Sequence, residues 1–320
     1  MLRFTLVIWQ ILLGMMFCLG CGVQSTILET GDHYFFTAND ALVLPGQETR
    51  LQAQFRSGDF LQPQAGYCVR FYREGKLYKA ALTDEAGQAA VGFQADAVGD
   101  FHFQAALAPV GLKEAPPEPA EFVVTCRSAD EPMIIVDLDK TVVASGFQAV
   151  LVGGAEPMPG AAEVLGELGR DHIIVYLTHW PDLFGPKSKA WLQEHGFPPG
   201  PLLLSTLQTF VKGSGAYKTG RLEDIRARFS RVEMGIGDKI SDALAYHENG
   251  MQAFLILPIP DELTPAGRDD LVEQLRPLPD TIQVVQDWSQ IAAFFKEDQR
   301  YPAARTIDLL QQQSVREGGS

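Results

Sequence analysis

The chain has 320 residues, 46% of them hydrophobic and 21% charged, with a formal charge of −14. This length supports two cored domains, and 30 Gly with 20 Pro is ordinary usage, which excludes a fibrous repeat or a disordered chain. The negative balance opposes binding to nucleic acid or an anionic surface, and four cysteines are too few for a disulfide scaffold or a Cys-rich zinc site.

Residues 1–20 open Met1-Leu2-Arg3 and continue as a nearly unbroken apolar run from Phe4 to Leu19. The run is short for a bilayer span but suits the apolar part of a secretory signal. It ends Cys18-Leu19-Gly20-Cys21-Gly22, which resembles the lipobox of bacterial lipoproteins, with Cys18 where a Leu is usual. The resemblance implies lipidation at Cys21 and a membrane anchor in the bacterial cell envelope, facing the periplasm. Plain signal cleavage and an uncleaved anchor are the alternatives, and each also places the body outside the cytoplasm.

Residues 28–127 alternate with a period of two: Leu51, Ala53 and Phe55; Ala89, Val91 and Phe93; Phe101, Phe103, Ala105 and Leu107. Turn signals such as Pro45-Gly46, Ser57-Gly58 and Glu74-Gly75 separate the runs. Short half-buried strands at near-regular spacing predict an antiparallel sandwich. The stretch 83–103 resembles bacterial immunoglobulin-like domains. Cys68 lies opposite the apolar face of Tyr67, Val69 and Phe71, whereas Cys126 shares a face with Phe122 and Val124, which argues against a disulfide. His33 and His102 are lone histidines, read as surface or packing residues. A proline-rich loop at 114–119 precedes a last strand at 120–126, and the short polar segment 127–131 is the expected boundary, short enough for the two domains to touch.

Residues 132–298 change to alternating strands and helices. Apolar strands are expected at 133–136, 173–177, 202–204, 232–236, 253–257 and 282–285. Helical spacing follows at 161–168, 187–194, 222–229, 241–248, near 269–275 and at 288–295. This is the grammar of a parallel sheet with helices on both faces, whose ligand lies beyond the carboxyl ends of the strands. The tail 299–320 shows only a weak apolar stripe.

Polar residues gather where that rule requires them. The first strand runs into Asp137-Leu138-Asp139-Lys140-Thr141, the second into Thr178-His179-Trp180-Pro181, and the fourth into Gly237-Asp238, with Asp242 in the next helix. Alternation would point Asp137 and Asp139 to one side, and two such carboxylates repel unless a cation or shared proton lies between them. Lys218 opens the helix that carries Leu222 and Ile225. A hard, oxygen-rich site of this kind suits Mg²⁺, a carboxylate can attack phosphorus, and a hydroxyl with an ammonium can cradle a phosphoryl group.

The order Asp-x-Asp-x-Thr, strand-end Thr, Lys, then Gly-Asp-x-x-x-Asp is similar to the haloacid dehalogenase (HAD) superfamily of phosphohydrolases. The resemblance implies a HAD-like Rossmannoid domain acting on a phosphomonoester. Asp137 would be the nucleophile, and Asp139 the acid and base whose carbonyl helps hold Mg²⁺. Thr178 and Lys218 would bind phosphate, with Asp238 and Asp242 completing the metal site. Narrower still, Tyr176-Leu177-Thr178, the run from His195 through Ser205, Leu222-Glu223-Asp224-Ile225 and Gly237-Asp238-Lys239-Ile240-Ser241-Asp242 with Tyr246 resemble lipin-type phosphatidate phosphatases and the related domain of phosphatidylinositol-transfer-associated proteins. Lys140 stands where lipins have Gly, His179-Trp180 replaces smaller residues, and Asp238 stands where lipins have Asn. His179 is a candidate substrate contact or a loop brace. With little room for a cap, the site is expected to be nearly open, suiting a bulky or membrane-embedded phospholipid, although the sandwich could roof it. The rivals are a phospholipid-binding module without turnover, a phosphatase for soluble esters, and an envelope protein whose site has decayed.

Overall fold

The structure is a computed structural model that describes residues 34–58, 61–113, 115–146, 149–150, 153–210, 214–260 and 263–318. The expected signal, Cys21 and His33 lie outside the described residues.

Alternating apolar residues build the N-terminal unit from two facing sheets. One contains β1 (Tyr34–Ala38), β3 (Glu48–Ser57), β4 (Gln62–Pro63) and β7 (Gln88–Gln94), with β3 paired to the other three. The second has the order β2-β9-β8-β5-β6, from β2 (Ala41–Val43), β5 (Cys68–Arg73), β6 (Lys76–Leu82), β8 (Gly99–Leu107) and β9 (Ala120–Cys126). Leu51, Ala53, Phe55, Val69, Phe71, Val91, Phe93, Phe103 and Val124 turn inward and form one core. In β5, β7 and β8 every second side chain is buried along the inward face, the sandwich solution for half-buried strands. Cys68 is half-buried, Cys126 is buried, and both are free thiols. His102 is exposed.

After the linker the period changes. Six strands, β10 (Met133–Val136), β11 (Ile173–Pro181), β12 (Leu202–Ser205), β13 (Val232–Gly237), β14 (Gln252–Ile256) and β15 (Gln283–Val285), form a sheet of order β12-β11-β10-β13-β14-β15. All five pairings are parallel. Alternate residues of one strand feed two cores: Ile134 and Val136 pack on one face, Met133 and Ile135 on the other. The first face is covered by α1 (Ala161–Leu168), α2 (Gly185–Glu194) and α7 (Trp288–Glu297), through Leu165, Trp191 and Trp288. The second is covered by α4 (Ser214–Arg228), α5 (Ile240–Glu248), α6 (Pro265–Leu275) and α8 (Ala303–Gly318), through Leu222, Tyr246, Leu275 and Leu310. Between β12 and α4 lies α3 (Leu207–Phe210). Capping is local: Asp287 accepts the N–H groups of Ser289 and Gln290 at the start of α7, and Thr264 accepts that of Gly267 at the start of α6.

The described part of the tail packs on the α/β domain. Val284 donates to the Tyr301 carbonyl (2.7 Å), Tyr301 donates to Gln283 Oε1 (2.7 Å), and Tyr301, Ala303 and Leu310 are buried in the α/β cores.

The two units touch. Asp40, buried in the sandwich, accepts N–H groups from Val123 (2.8 Å) of its own unit and Leu202 (2.9 Å) of the edge strand β12. Its Oδ1 also lies 2.6 Å from the ammonium of Lys189 in α2. Asn39 donates to Asp182 (3.5 Å), which opens a short 3-10 turn after β11, and Leu42 packs into the α/β core. The sandwich therefore flanks the β12 edge, where unpaired strand groups otherwise face solvent. Among the described residues, no helix is long and apolar enough to cross a membrane.

Candidate active site

In this strand order the chain turns outward from β10 in both directions, so the crevice between the ends of β10 and β13 is the expected ligand position. The carboxylates are there. Asp137 follows β10, and its N–H donates to the Ile236 carbonyl of β13 (2.9 Å), which ties the two strand ends together. Asp238 follows β13, and Asp242 sits in the first turn of α5. One oxygen from each of Asp137, Asp238 and Asp242 lies within 4.8 Å of the others. Lys218, on α4, enters between them: its Nζ is 3.0 Å from Asp137 Oδ1 and 2.6 Å from Asp242 Oδ2.

Burial sets the electrostatics. In the site, Asp137 is 1% exposed, Thr178 1%, Lys218 3% and Asp242 3%. The floor of the site is withdrawn from solvent, while half-buried Asp139 and Asp238 and exposed Lys140 and Lys239 form the rim. Burial pushes Asp137 up to about 7, despite the pull of the Lys218 ammonium, with Asp242 adding to the rise. Burial opposes the charge of Lys218, but Asp137 and Asp242 outweigh it and push the lysine up to about 12. Asp238 is also raised, first by burial.

Two oxygens remain unanswered. Asp137 Oδ2 and Asp238 Oδ1 are buried and have no hydrogen-bond partner among the described residues. An orphaned buried carboxylate oxygen costs free energy, and a hard divalent cation is the partner that oxygens in this arrangement suit. The residues fit such an ion.

Asp139, half-buried, bears electrostatically on Asp238 but is not one of the three carboxylates whose oxygens converge. β10 has ended at Val136, so strand alternation no longer governs the Asp137 and Asp139 side chains. Asp139 Oδ1 lies near Gly146, where a Cβ would stand 3.3 Å away. Lys140 has φ +53°, a region that glycine enters freely and an L-residue enters at about 1–2 kcal/mol. That accounts physically for glycine being the easier choice here.

Thr178 lies within β11 rather than beyond it, because that strand continues to Pro181. Its Oγ1 accepts the Trp180 N–H at 3.4 Å. His179 is bracketed by rings, stacked on Phe210 at 4.8 Å and tilted to Tyr217 at 5.7 Å. Burial lowers its pKa, and a hydrogen bond to the Thr209 main chain opposes that. This packing favours the brace. Trp180 packs edge-on to Phe184, and His195 caps its helix through Nδ1 to the Trp191 carbonyl (2.9 Å).

Two residues at the domain junction, Asp40 and Asp182, carried no sequence signal of their own. Their roles depend on neighbours distant in sequence.

Residues 134–257 match the family model of the PITM 1-3 LNS2 domain. This links the chain to lipin/PITM-type domains, which are related to HAD-like phosphatases, over well under half of its length. No match was found among curated proteins. Among solved structures, the Pnkp1/Rnl/Hen1 RNA repair complex is similar at 17% identity and a TM-score of 0.36, covering 41% of this chain and 44% of that one. The fibronectin(III)-like modules of Clostridium thermocellum CbhA are similar at 10% and 0.21, covering 29% and 96%. The D0-D1 domain of Intimin is similar at 17% and 0.23, covering 32% and 56%. Such low scores carry no functional inference.

Proposed function

We propose that the chain is a Mg²⁺-dependent phosphomonoester hydrolase with a HAD-like α/β domain, acting on phosphatidate or a related phospholipid. The observation that carries this is the convergence of Asp137, Asp238 and Asp242 with two orphaned buried oxygens at the β10–β13 crevice. Mg²⁺ would be held by these carboxylates and the Asp139 carbonyl, supplying positive charge against a bound phosphate. Asp137 attacks phosphorus, and the ester P–O bond breaks as an aspartyl-phosphate forms. Asp139 gives a proton to the departing alkoxide, then takes one from water that attacks the same phosphorus as its bond to the Asp137 oxygen breaks, freeing inorganic phosphate and the Asp137 carboxylate. Lys218 and Thr178 hold the phosphoryl oxygens.

Anchoring through a lipidated Cys21 would hold this site at a membrane of the bacterial envelope, beside its substrate. Mass analysis of the mature N-terminus tests that part, and a Cys21 free of acyl groups would refute it.

The match to the PITM 1-3 LNS2 domain favours a second reading, a phospholipid-binding module without turnover. Phosphate release from phosphatidate vesicles and from a small aryl phosphate, with Mg²⁺ or chelator, separates the two. Release from vesicles that Mg²⁺ supports and Asp137→Asn removes is the expected result. Vesicle binding without release establishes the module, and faster release from the aryl ester removes the lipid substrate.

A further inference from the structure

Tyr246 is fully buried in α5, and its ring lies against the backbone of β13. A Cβ at Gly235 would fall 2.1 Å from the Tyr246 Cγ, so only glycine admits the ring there. Further along the strand, the Gly237 position faces Tyr246 Cε2 at 3.5 Å and Asp242 Oδ2 at 3.3 Å. The ring therefore runs from the middle of β13 towards the strand end that delivers Asp238.

At that end the phenol hydroxyl is buried and has no hydrogen-bond partner among the described residues. Burial, then the charges of Asp242, Asp137 and Asp238, hold its proton well above the ordinary range. The geometry agrees: Tyr246 Cε2 and Asp242 Oδ2 both border the Gly237 position, one residue before Asp238. An unpaired buried hydroxyl costs roughly 1–3 kcal/mol, whereas phenylalanine would fill nearly the same volume without that cost. Packing alone accounts for the ring and not for the oxygen.

We infer that Tyr246 is a positioning residue for the cation site, its hydroxyl serving as the outer hydrogen-bond donor to the Asp137–Asp238–Asp242 group when a divalent cation is held there. This rests on the reading of that group as a cation site. A ligating carboxylate oriented by a second donor keeps its geometry, and loss of such a donor typically weakens metal binding by about 10–100-fold. The tyrosine also gives Gly235 a purpose, since the glycine lets the hydroxyl reach the end of β13.

The test is Tyr246→Phe in the full chain, with Mg²⁺ and Mn²⁺ binding measured by calorimetry and melting measured in chelator. The expected result is a Kd raised about 10–100-fold, with a melting temperature in chelator that is unchanged or higher. An unchanged Kd, with wild type binding normally, would overturn the inference and leave the cation site standing. A marked fall in the chelator melting temperature would overturn it too, because the hydroxyl would then already have a partner without metal. Failure of the wild-type chain to bind either cation would remove the cation site and this inference with it.

Discussion

Lys218 Nζ stands 3.0 Å from Asp137 Oδ1, and both side chains are almost wholly buried. The same ammonium reaches Asp242, so one positive charge from α4 is shared by carboxylates from β10 and α5. This pairing holds the acidic crevice together without metal.

Removing that charge exposes the cost. In Lys218→Met, Asp137 and Asp242 are left buried without their cation, a change that typically costs about 3–5 kcal/mol. Urea unfolding in chelator should show a loss of that size. Added Mg²⁺ should restore part of the stability, while phosphate release stays lost. An unfolding curve identical to wild type would mean the three groups do not interact as the geometry requires.

Asp137→Asn removes the proposed nucleophile but keeps its shape. Phosphate release should fall by at least about a thousandfold, the scale seen when a nucleophile is removed from a working catalytic group. The circular dichroism spectrum should not change. Retention of more than a few per cent of wild-type turnover would assign the nucleophile elsewhere.

The pH dependence of stability follows from the same residue. Asp137 moves from an ordinary 3.8 to about 7 on folding, chiefly through burial. Between those values the folded chain binds the extra proton, so this group's stabilising contribution is complete below about pH 4 and is lost as pH rises through about 7. Melting in chelator should therefore decline from pH 5 to pH 8 more steeply in wild type than in Asp137→Asn. Cation affinity should rise over the same interval, because the bound ion requires the ionised carboxylate. Parallel melting profiles for the two proteins would contradict this assignment.

Asp40 makes a separate claim about the two domains. Asp40→Ala leaves the Leu202 and Val123 N–H groups and the Lys189 ammonium without their shared acceptor. A loss of about 3–5 kcal/mol is expected for breaking such a buried charged group. Calorimetry should resolve two transitions for Asp40→Ala and one for wild type. A single unshifted transition would indicate that other contacts carry the junction.

Where the relevant interactions were local, the residues announced them. Period-two alternation at Leu51, Ala53 and Phe55 reads directly as one buried face because neighbouring side chains on a strand must oppose each other. Apolar strands followed by Asp137 and by Gly237-Asp238 place polar groups at sheet ends, since a strand buried on both faces tolerates them only there. The convergence of Asp137, Asp238, Asp242 and Lys218 follows from that pattern once the strands lie side by side.

Other features depended on contacts between segments far apart in the chain. Thr178 stays within a strand that β12 extends by pairing at Pro181. The buried floor, the helix Ala303–Gly318 and the Asp40 junction each arise from surfaces meeting across the fold. Sequence alone determined which residues could do the chemistry and on which strand ends they sit, because hydrophobic period and residue type are local properties. Tertiary structure alone decided how deeply they are buried and which oxygens lack partners, because desolvation and hydrogen bonding are set by whatever the rest of the chain brings alongside.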